Sequence, residues 1–292
     1  MPDICPPDGA WRVVDGTADD FPGIFIDSFS GHWLVQTRDV LWPAWIVATD
    51  TLCGWKSLWW KRLDKHEKQP PLHMAGGMLT APIFTRELGL EYEIDFHAGY
   101  SQGLFVDQRL QKQRILETTI PDGRILNLFA YTCAFSVLAA SRGAQTTSVD
   151  LSRTYLDWGK RNFLRNNIDP DVHFFCKGDS TDWLRRFAAK GRSFDGIILD
   201  PPTFSRNDAG KIFRVERDFA ALVETCMKLL SPGGWLLSST NHRGLSDAMF
   251  LSMIRRGVAA AGKSARFESG SLPPDFPNEK YLKAIWAFTR PS

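Results

Sequence analysis

From residue 123 onward, short apolar runs alternate with helical stretches of about ten to sixteen residues, and this alternation restricts the fold more than any other feature of the chain. The runs are Arg124-Ile-Leu-Asn-Leu-Phe, Thr146-Thr-Ser-Val-Asp, Val172-His-Phe-Phe-Cys, Phe194-Asp-Gly-Ile-Ile-Leu-Asp and Pro232-Gly-Gly-Trp-Leu-Leu-Ser-Ser. Each is too short for a helix and reads as a strand covered on both faces. Helical segments are expected over the small-residue stretch 134–143 and over 152–167, 181–190 and 215–230. Strand–helix alternation of this kind implies βαβ units and a parallel sheet. The segments 265–269 and 282–289 are expected to close it as a hairpin.

Residues 1–88 read differently. Trp11-Arg-Val-Val, Gly23-Ile-Phe-Ile-Asp, His32-Trp-Leu-Val-Gln-Thr and Ser57-Leu-Trp-Trp-Lys-Arg are strand-like runs separated by turn residues, the pattern of a β-meander. Pro70-Pro71 and Gly76-Gly77 mark loops. Two domains are expected, a small β-rich one over 1–88 and an α/β one over 89–292.

The chain of 292 residues carries 35 Lys+Arg and 33 Asp+Glu, a net of +2, which argues against a polybasic nucleic-acid coat or an acidic tail protein. The balance is uneven. Residues 1–50 hold Arg12 and Arg38 against eight Asp, a net of −6; residues 51–88 come to +3 and 89–292 to +5, which together restore +2. Seven of the 11 tryptophans lie in the first 60 residues. Cys5, Cys53, Cys133, Cys176 and Cys226 form no C-x-x-C pair, and the six His are scattered, so neither a disulfide frame nor a metal site is expected. No apolar stretch approaches the length of a membrane helix, and Met1-Pro-Asp-Ile-Cys-Pro-Pro-Asp does not read as a signal peptide. A reduced, cytoplasmic protein without membrane attachment is the expectation.

In an open α/β sheet, ligands bind beyond the carboxyl ends of the strands. Those ends carry Asn127, Asp150, Gly178-Asp179 and Asp200-Pro-Pro. A carboxylate at Asp150 can accept from both hydroxyls of a ribose, and one at Asp179 from an exocyclic amine. The competing reading of each is a helix N-cap. The loop Phe129-Ala-Tyr-Thr-Cys-Ala-Phe-Ser leads into a helix whose first amides suit an anionic group. The chain lacks G-x-G-x-x-G, which counts against a pyrophosphate ligand and less against S-adenosylmethionine.

Asp200-Pro-Pro-Thr-Phe-Ser, with Asn127-Leu-Phe-Ala-Tyr-Thr before it, resembles the class I S-adenosylmethionine-dependent methyltransferases of ribosomal RNA. The likeness is greatest to the guanine-N7 half of the bifunctional 23S rRNA enzymes. Val149-Asp-Leu-Ser-Arg-Thr-Tyr-Leu-Asp-Trp, Val215-Glu-Arg-Asp-Phe and Ser239-Thr-Asn-His-Arg-Gly are similar to further blocks of that family. Tyr100-Ser-Gln-Gly-Leu-Phe-Val-Asp-Gln-Arg resembles a segment shared with the related cytosine-C5 enzymes. The small β domain that precedes the catalytic domain in both groups is similar to Arg12–Gln36. The resemblance covers about residues 10–290, strongly over 99–245. It implies a Rossmann-like methyltransferase fold with a mostly parallel seven-stranded sheet. It also implies S-adenosyl-L-methionine as cofactor with S-adenosyl-L-homocysteine as product, and a partner that is 23S rRNA or a large-subunit assembly intermediate, without metal.

Carried over position by position, the resemblance places Asn127, Phe129, Tyr131 and Thr132 around the methionyl part of the cofactor. Asp150 would hold the ribose and Asp179 the adenine, with Ser152 and Asn166 nearby. Gln108 and Arg109 would close over the cofactor, and Asp200, Pro201 and Pro202 would line the transfer site. Cys133 departs from the glycine usual after Tyr-Thr. Its side chain is expected to narrow the backbone approach to the cofactor; as a residue it reads either as a nucleophile or as a small thiol filling a glycine position. The 292 residues contain no counterpart of the family's N-terminal RNA-binding domain. That leaves open a methyltransferase of another RNA position, a protein or a small molecule, while Cys133 leaves open a cofactor-binding protein that keeps the fold without activity.

Cytosine-C5 transfer needs a cysteine nucleophile. The places where the family would put it read Asp200-Pro-Pro-Thr-Phe and Leu237-Ser-Ser-Thr-Asn, and neither holds one. Guanine N7 is already nucleophilic, so holding it in line with the methyl–sulfonium bond suffices, with Asp200 and Asn241 offering polar contacts to the base. Phe204 is placed to stack on a flipped base; its other reading is a core anchor of the loop. Candidate phosphate contacts are Arg206, Lys211, Arg214 and Arg217 after the Asp-Pro-Pro motif, and Lys61 and Arg62 in the aromatic–basic segment 55–68, whose other reading is a solvated edge strand.

Overall fold

The computed structural model describes residues 8–49, 54–63, 69–99, 101–206, 212–277 and 281–291. It divides into two compact units. One comprises residues 1–109 with 272–279, the other residues 110–271 with 280–292.

The first unit is built on a five-stranded sheet in the order β1-β2-β3-β4-β5: β1 (Ala10–Asp15), β2 (Ile24–Phe29), β3 (His32–Thr37), β4 (Ser57–Arg62) and β5 (Leu72–Gly76). Ile24, Ile26, Trp33, Val35, Ile46, Trp55 and Leu58 form its core, so much of the N-terminal tryptophan is structural. The acidic start is partly structural too. Arg12 bridges Asp15 at 2.8 Å and Asp27 at 2.9 Å with all three side chains nearly enclosed, where the charges need each other as partners. The meander expectation holds only through β3. β3 and β4 pair in parallel, because the chain crosses over through a 3-10 helix at Ala44–Thr49 instead of turning back in a hairpin. A second hairpin, β6 (Ile83–Glu87) with β7 (Leu90–Ile94), joins this unit through hydrogen bonds from Ser30 to the Phe84 carbonyl and from Thr85 to the Asp8 carbonyl. The unit therefore runs on to Arg109 rather than stopping at the expected 88.

The second unit is a seven-stranded sheet in the order β10-β9-β8-β11-β14-β16-β15, with β8 (Arg124–Leu128), β9 (Gln145–Asp150), β10 (Phe174–Lys177), β11 (Phe194–Leu199), β14 (Leu230–Thr240), β15 (Ala265–Ser269) and β16 (Lys283–Thr289). The first five strands are parallel, and β16 pairs antiparallel with both β14 and β15. This is the expected Rossmann-like class I arrangement with its closing hairpin. Among the described residues six helices accompany the sheet: α1 (Arg109–Thr118), α2 (Ala134–Ser141), α3 (Arg153–Arg165), α4 (Ser180–Ala189), α5 (Val215–Leu229) and α6 (Asp247–Ala260). Leu126, Leu128, Ile197, Leu199 and Leu236 of the strands pack with Phe219, Val223, Phe250 and Ile254 of the helices in one core. Gly196 is required in β11, since a Cβ there would stand 2.2 Å from the Trp235 ring on β14.

Two local expectations fail. Val172 lies in a 3-10 turn, so β10 starts at Phe174; Asp169 caps that turn and Pro170 opens it. The stretch after Thr203 is a hairpin of β12 (Phe204–Arg206) and β13 (Ile212–Arg214) rather than a plain loop.

Candidate functional site

The segment linking β8 to α2 is bent unusually for its composition. Phe129, Tyr131 and Cys133 all have positive φ, at 58°, 49° and 61°. Three L-residues in that region within five positions cost of order 1–2 kcal/mol each and persist only where the surroundings impose them. The surroundings do so here. Ala130 N–H donates to the Val149 carbonyl at 2.9 Å, Tyr131 N–H to Asp150 Oδ2 at 2.9 Å, and Asn162 Nδ2 of α3 to the Thr132 carbonyl at 3.0 Å. Asn162 is fully buried. It went unrecognised in the sequence because its partner is a backbone atom thirty residues away in the chain.

Asn127, 1% exposed, donates to Ser136 at 2.9 Å, and Ser136 contacts Ser148 at 2.8 Å, a buried polar chain across β8, α2 and β9. Asp150 ends β9. Besides Tyr131, it accepts from Ser152 N–H at 2.8 Å. Each carboxylate oxygen thus has one N–H partner and a second lone pair, the number of acceptors a vicinal diol needs. Burial pushes the Asp150 carboxyl above its ordinary value, against the pull of these two N–H groups. Tyr131 stands edge-on to Tyr155 at 4.6 Å and near Trp158.

Asp179 accepts from Thr181 N–H at 2.9 Å and Asp182 N–H at 3.3 Å, the N-cap of α4. Ser152 caps α3, accepting from Tyr155 N–H at 3.3 Å. Asn166 is a correction. It caps the other end of α3, its amide on the Asn162 carbonyl, and a thirteen-residue helix spans about 20 Å, so it does not join Ser152 beside Asp150.

Cys133 overturns its expectation as well. The side chain is fully buried and points at α3, where Gly159 leaves it room, so it does not narrow the concave side of the loop. Burial pushes its thiol up to about 12, which leaves no thiolate for nucleophilic work at neutral pH.

At the ends of β11 and β14, Ser239 Oγ donates to Asp200 at 2.6 Å, and Thr203 Oγ1 donates to Asn241 Oδ1 at 3.0 Å. These two bonds tie the Asp200-Pro201-Pro202 corner to the neighbouring strand. Sequence reasoning missed Ser239, whose role appears only once β11 and β14 are paired. Phe204 is 51% exposed, with the Arg214 guanidinium 5.7 Å from its ring, so it is not a core anchor. Phe213 instead supplies the inward ring, 6.0 Å from Phe129.

Of the candidate phosphate contacts, Arg217 is paired with Asp218 at 2.8 Å, and Lys61 donates to the Gly99 carbonyl at 3.1 Å in the N-terminal unit, with burial lowering its pKa. Arg62 lies beside it on β4. Lys211, Tyr100, the end of the 55–68 segment and the Arg206 side chain lie outside the described residues. Gln108 and Arg109 belong to the N-terminal unit, where Gln108 is buried and Arg109 is ion-paired with Asp275. Among the described residues no group of His, Cys, Asp and Glu could hold a metal, and no helix is long and apolar enough to cross a membrane.

The donor set suits S-adenosylmethionine. Paired lone pairs on Asp150 match a ribose diol, and carboxylates after β9, β10 and β11 on the same end of the sheet favour a sulfonium cation.

Comparison with known proteins gives the same picture. The model of a family described as S-adenosylmethionine-dependent methyltransferases matches residues 73–288. Ribosomal RNA large subunit methyltransferase K of Neisseria meningitidis is 32% identical over 289 residues, covering 93% of this chain and 78% of that protein. Ribosomal RNA large subunit methyltransferase K/L of Pseudoalteromonas translucida is 39% identical over 210 residues, 71% of this chain but only 28% of that protein. Among solved structures, that of SMU.776 complexed with SAH superposes with a TM-score of 0.87 at 26% identity, over 97% of this chain and 76% of that one.

Proposed function

The chain belongs to the S-adenosylmethionine-dependent methyltransferase family, and from that premise we propose that it methylates guanine N7 in 23S rRNA by direct in-line transfer, without a cysteine nucleophile. The bound cofactor supplies an electrophilic methyl group on a sulfonium. Everything else falls to this chain's residues. Asp150 and Ser152, with the bent Phe129–Cys133 segment, hold the donor in place, and Asp179 offers a carboxylate toward its base. Phe204 stacks on the target base. Asp200, set by Ser239, and Asn241, set by Thr203, accept from the base and offset the positive charge that N7 gains.

The observation that carries this reading is the exposed Phe204 ring beside an anchored Asp200 corner that holds no cysteine. N7 has its own lone pair, so no base or covalent step is needed there. The ribosomal RNA substrates named for the Neisseria and Pseudoalteromonas relatives support RNA as the acceptor.

The test is transfer from methyl-labelled cofactor to deproteinised 23S rRNA, followed by digestion to nucleosides. Label in 7-methylguanosine is expected, and one such nucleoside is expected to vanish from the rRNA of a strain lacking the gene. Label on an exocyclic amine or a pyrimidine carbon would overturn the N7 assignment. No transfer to RNA would overturn the substrate class.

A further inference from the structure

At the outer edge of the parallel sheet, β10 and α4 enclose a groove of about 260 Å³. Three cations, Arg186, Lys190 and Arg192, line it together with Phe174, Trp183 and Phe187, and among the described residues no acidic side chain does. Arg186 lies 5.0 Å from the Trp183 ring and Arg192 5.1 Å from that of Phe174. Trp183 is fixed by its indole N–H, which donates to the Lys177 carbonyl at 3.1 Å. Phe174 is 42% exposed on an edge strand. The nearest acid on α4, Asp182, is taken up by Arg185 at 2.8 Å.

Complementing the α4 dipole explains cations at its C-terminal end. It does not explain an exposed phenylalanine on the neighbouring strand, nor an indole and a guanidinium plane beside it. Flat faces combined with unneutralised positive charge are what single-stranded nucleic acid recognises. The volume is slightly below the roughly 300–1,000 Å³ of small-molecule sites, which suits one base rather than a whole cofactor.

We propose that this groove is a second RNA-docking site, taking a single-stranded stretch of the substrate with backbone phosphates on Arg186, Lys190 and Arg192 and one base against Phe174 and Trp183. It rests on the reading of the chain as an RNA methyltransferase. The charge of the groove selects RNA over a protein partner or a second copy of the chain.

The probe is deproteinised 23S rRNA. Filter binding over a salt series compares wild type, Arg186→Gln/Lys190→Gln/Arg192→Gln and the charge-preserving Phe174→Ala. The triple variant is expected to lower the slope of log K against log salt by about 2, at roughly 0.7 per phosphate contact. It should raise KM for RNA about tenfold, with kcat and cofactor affinity unchanged. Phe174→Ala should weaken binding without changing the slope. If wild type methylates the RNA and both variants match it in slope and KM, the groove is overturned and the proposed activity stands. If wild type transfers nothing to RNA, the activity fails, and the groove is then judged on binding alone: an unchanged slope overturns it. Weakened binding to whole large-subunit particles but not to bare rRNA would assign the groove to a ribosomal protein. A wild-type dimer lost in the triple variant, with RNA binding intact, would assign it to a second copy. Either result overturns the proposal.

Discussion

The sulfur of Cys133 occupies the space that a side chain at position 159 would need: a Cβ on Gly159 would stand 2.5 Å from Cys133 Sγ and 2.9 Å from its Cβ. The loop bend and the helix glycine are therefore one device. Gly159→Ala gains about 1 kcal/mol of helix propensity, yet overpacks a fully buried contact at a cost of about 1–3 kcal/mol. A net loss of thermal stability and weaker cofactor binding are expected. Cys133→Gly combined with Gly159→Ala should recover both, as a double-mutant cycle would read. Equal melting temperature and affinity for Gly159→Ala and wild type would show that the contact is slack.

Asp150 separates stability from binding. Its carboxyl is held above its ordinary value by burial, so between pH 3.8 and that raised value the folded state binds more protons than the unfolded one. Stability contributed by this group therefore rises on acidification through that window, and the ionised form is a cost at neutral pH. Asp150→Asn should leave the melting temperature unchanged or higher at pH 7 while cutting cofactor affinity at least tenfold, an order of magnitude that corresponds to about 1.4 kcal/mol. Calorimetric titration beside a thermal melt separates the two effects; an unchanged affinity would remove Asp150 from the site.

His32 acts with the opposite sign. Burial, aided by Lys56, pushes its imidazole from 6.5 down to about 4. The ring pairs with Ser57 Oγ at 2.7 Å. Across that window the unfolded chain binds the proton and the folded one does not, so stability falls as the pH drops from 6.5 toward 4. His32→Gln should flatten the decline in melting temperature over this range. Parallel curves for the two proteins would count against it.

Phe204→Ala should spare stability, since the ring is half in solvent, and cost about 1–3 kcal/mol in binding the target base. That is roughly a tenfold to hundredfold drop in kcat/KM for RNA at constant cofactor affinity, with Phe204→Trp retaining most activity. A variant with wild-type kcat/KM would reduce Phe204 to a bystander.

The sheet was legible because Leu126, Leu128, Ile197, Ile198 and Leu236 must be apolar to be covered on both faces, and that leaves continuous runs in the sequence. Asp150, Asp179 and Asp200 were legible because polar residues at consecutive strand ends stand out against those runs. The hairpin of β12 and β13 was not, since two three-residue strands carry too little periodicity. The crossover between β3 and β4 lay in connection geometry rather than in strand composition. Asn166 came only from the position-by-position likeness, which does not show that the helix Arg153–Arg165 carries it to the end opposite Ser152. Asn162, Gly159 and Ser239 act only through partners that the fold brings to them, so no local pattern marks them.

The order of the large sheet also governs how the chain reaches it. Leu199 must find Leu128 on one side and Ser238 on the other before the centre of the sheet exists. No hairpin links any two of the parallel strands, so each pairing closes a long loop before its contacts repay the lost entropy. β16 must enter between β14 and β15, which leaves both with an open edge until it arrives. During that interval the apolar strand faces are exposed to other chains, and yield on refolding should depend more steeply on protein concentration than final stability would suggest.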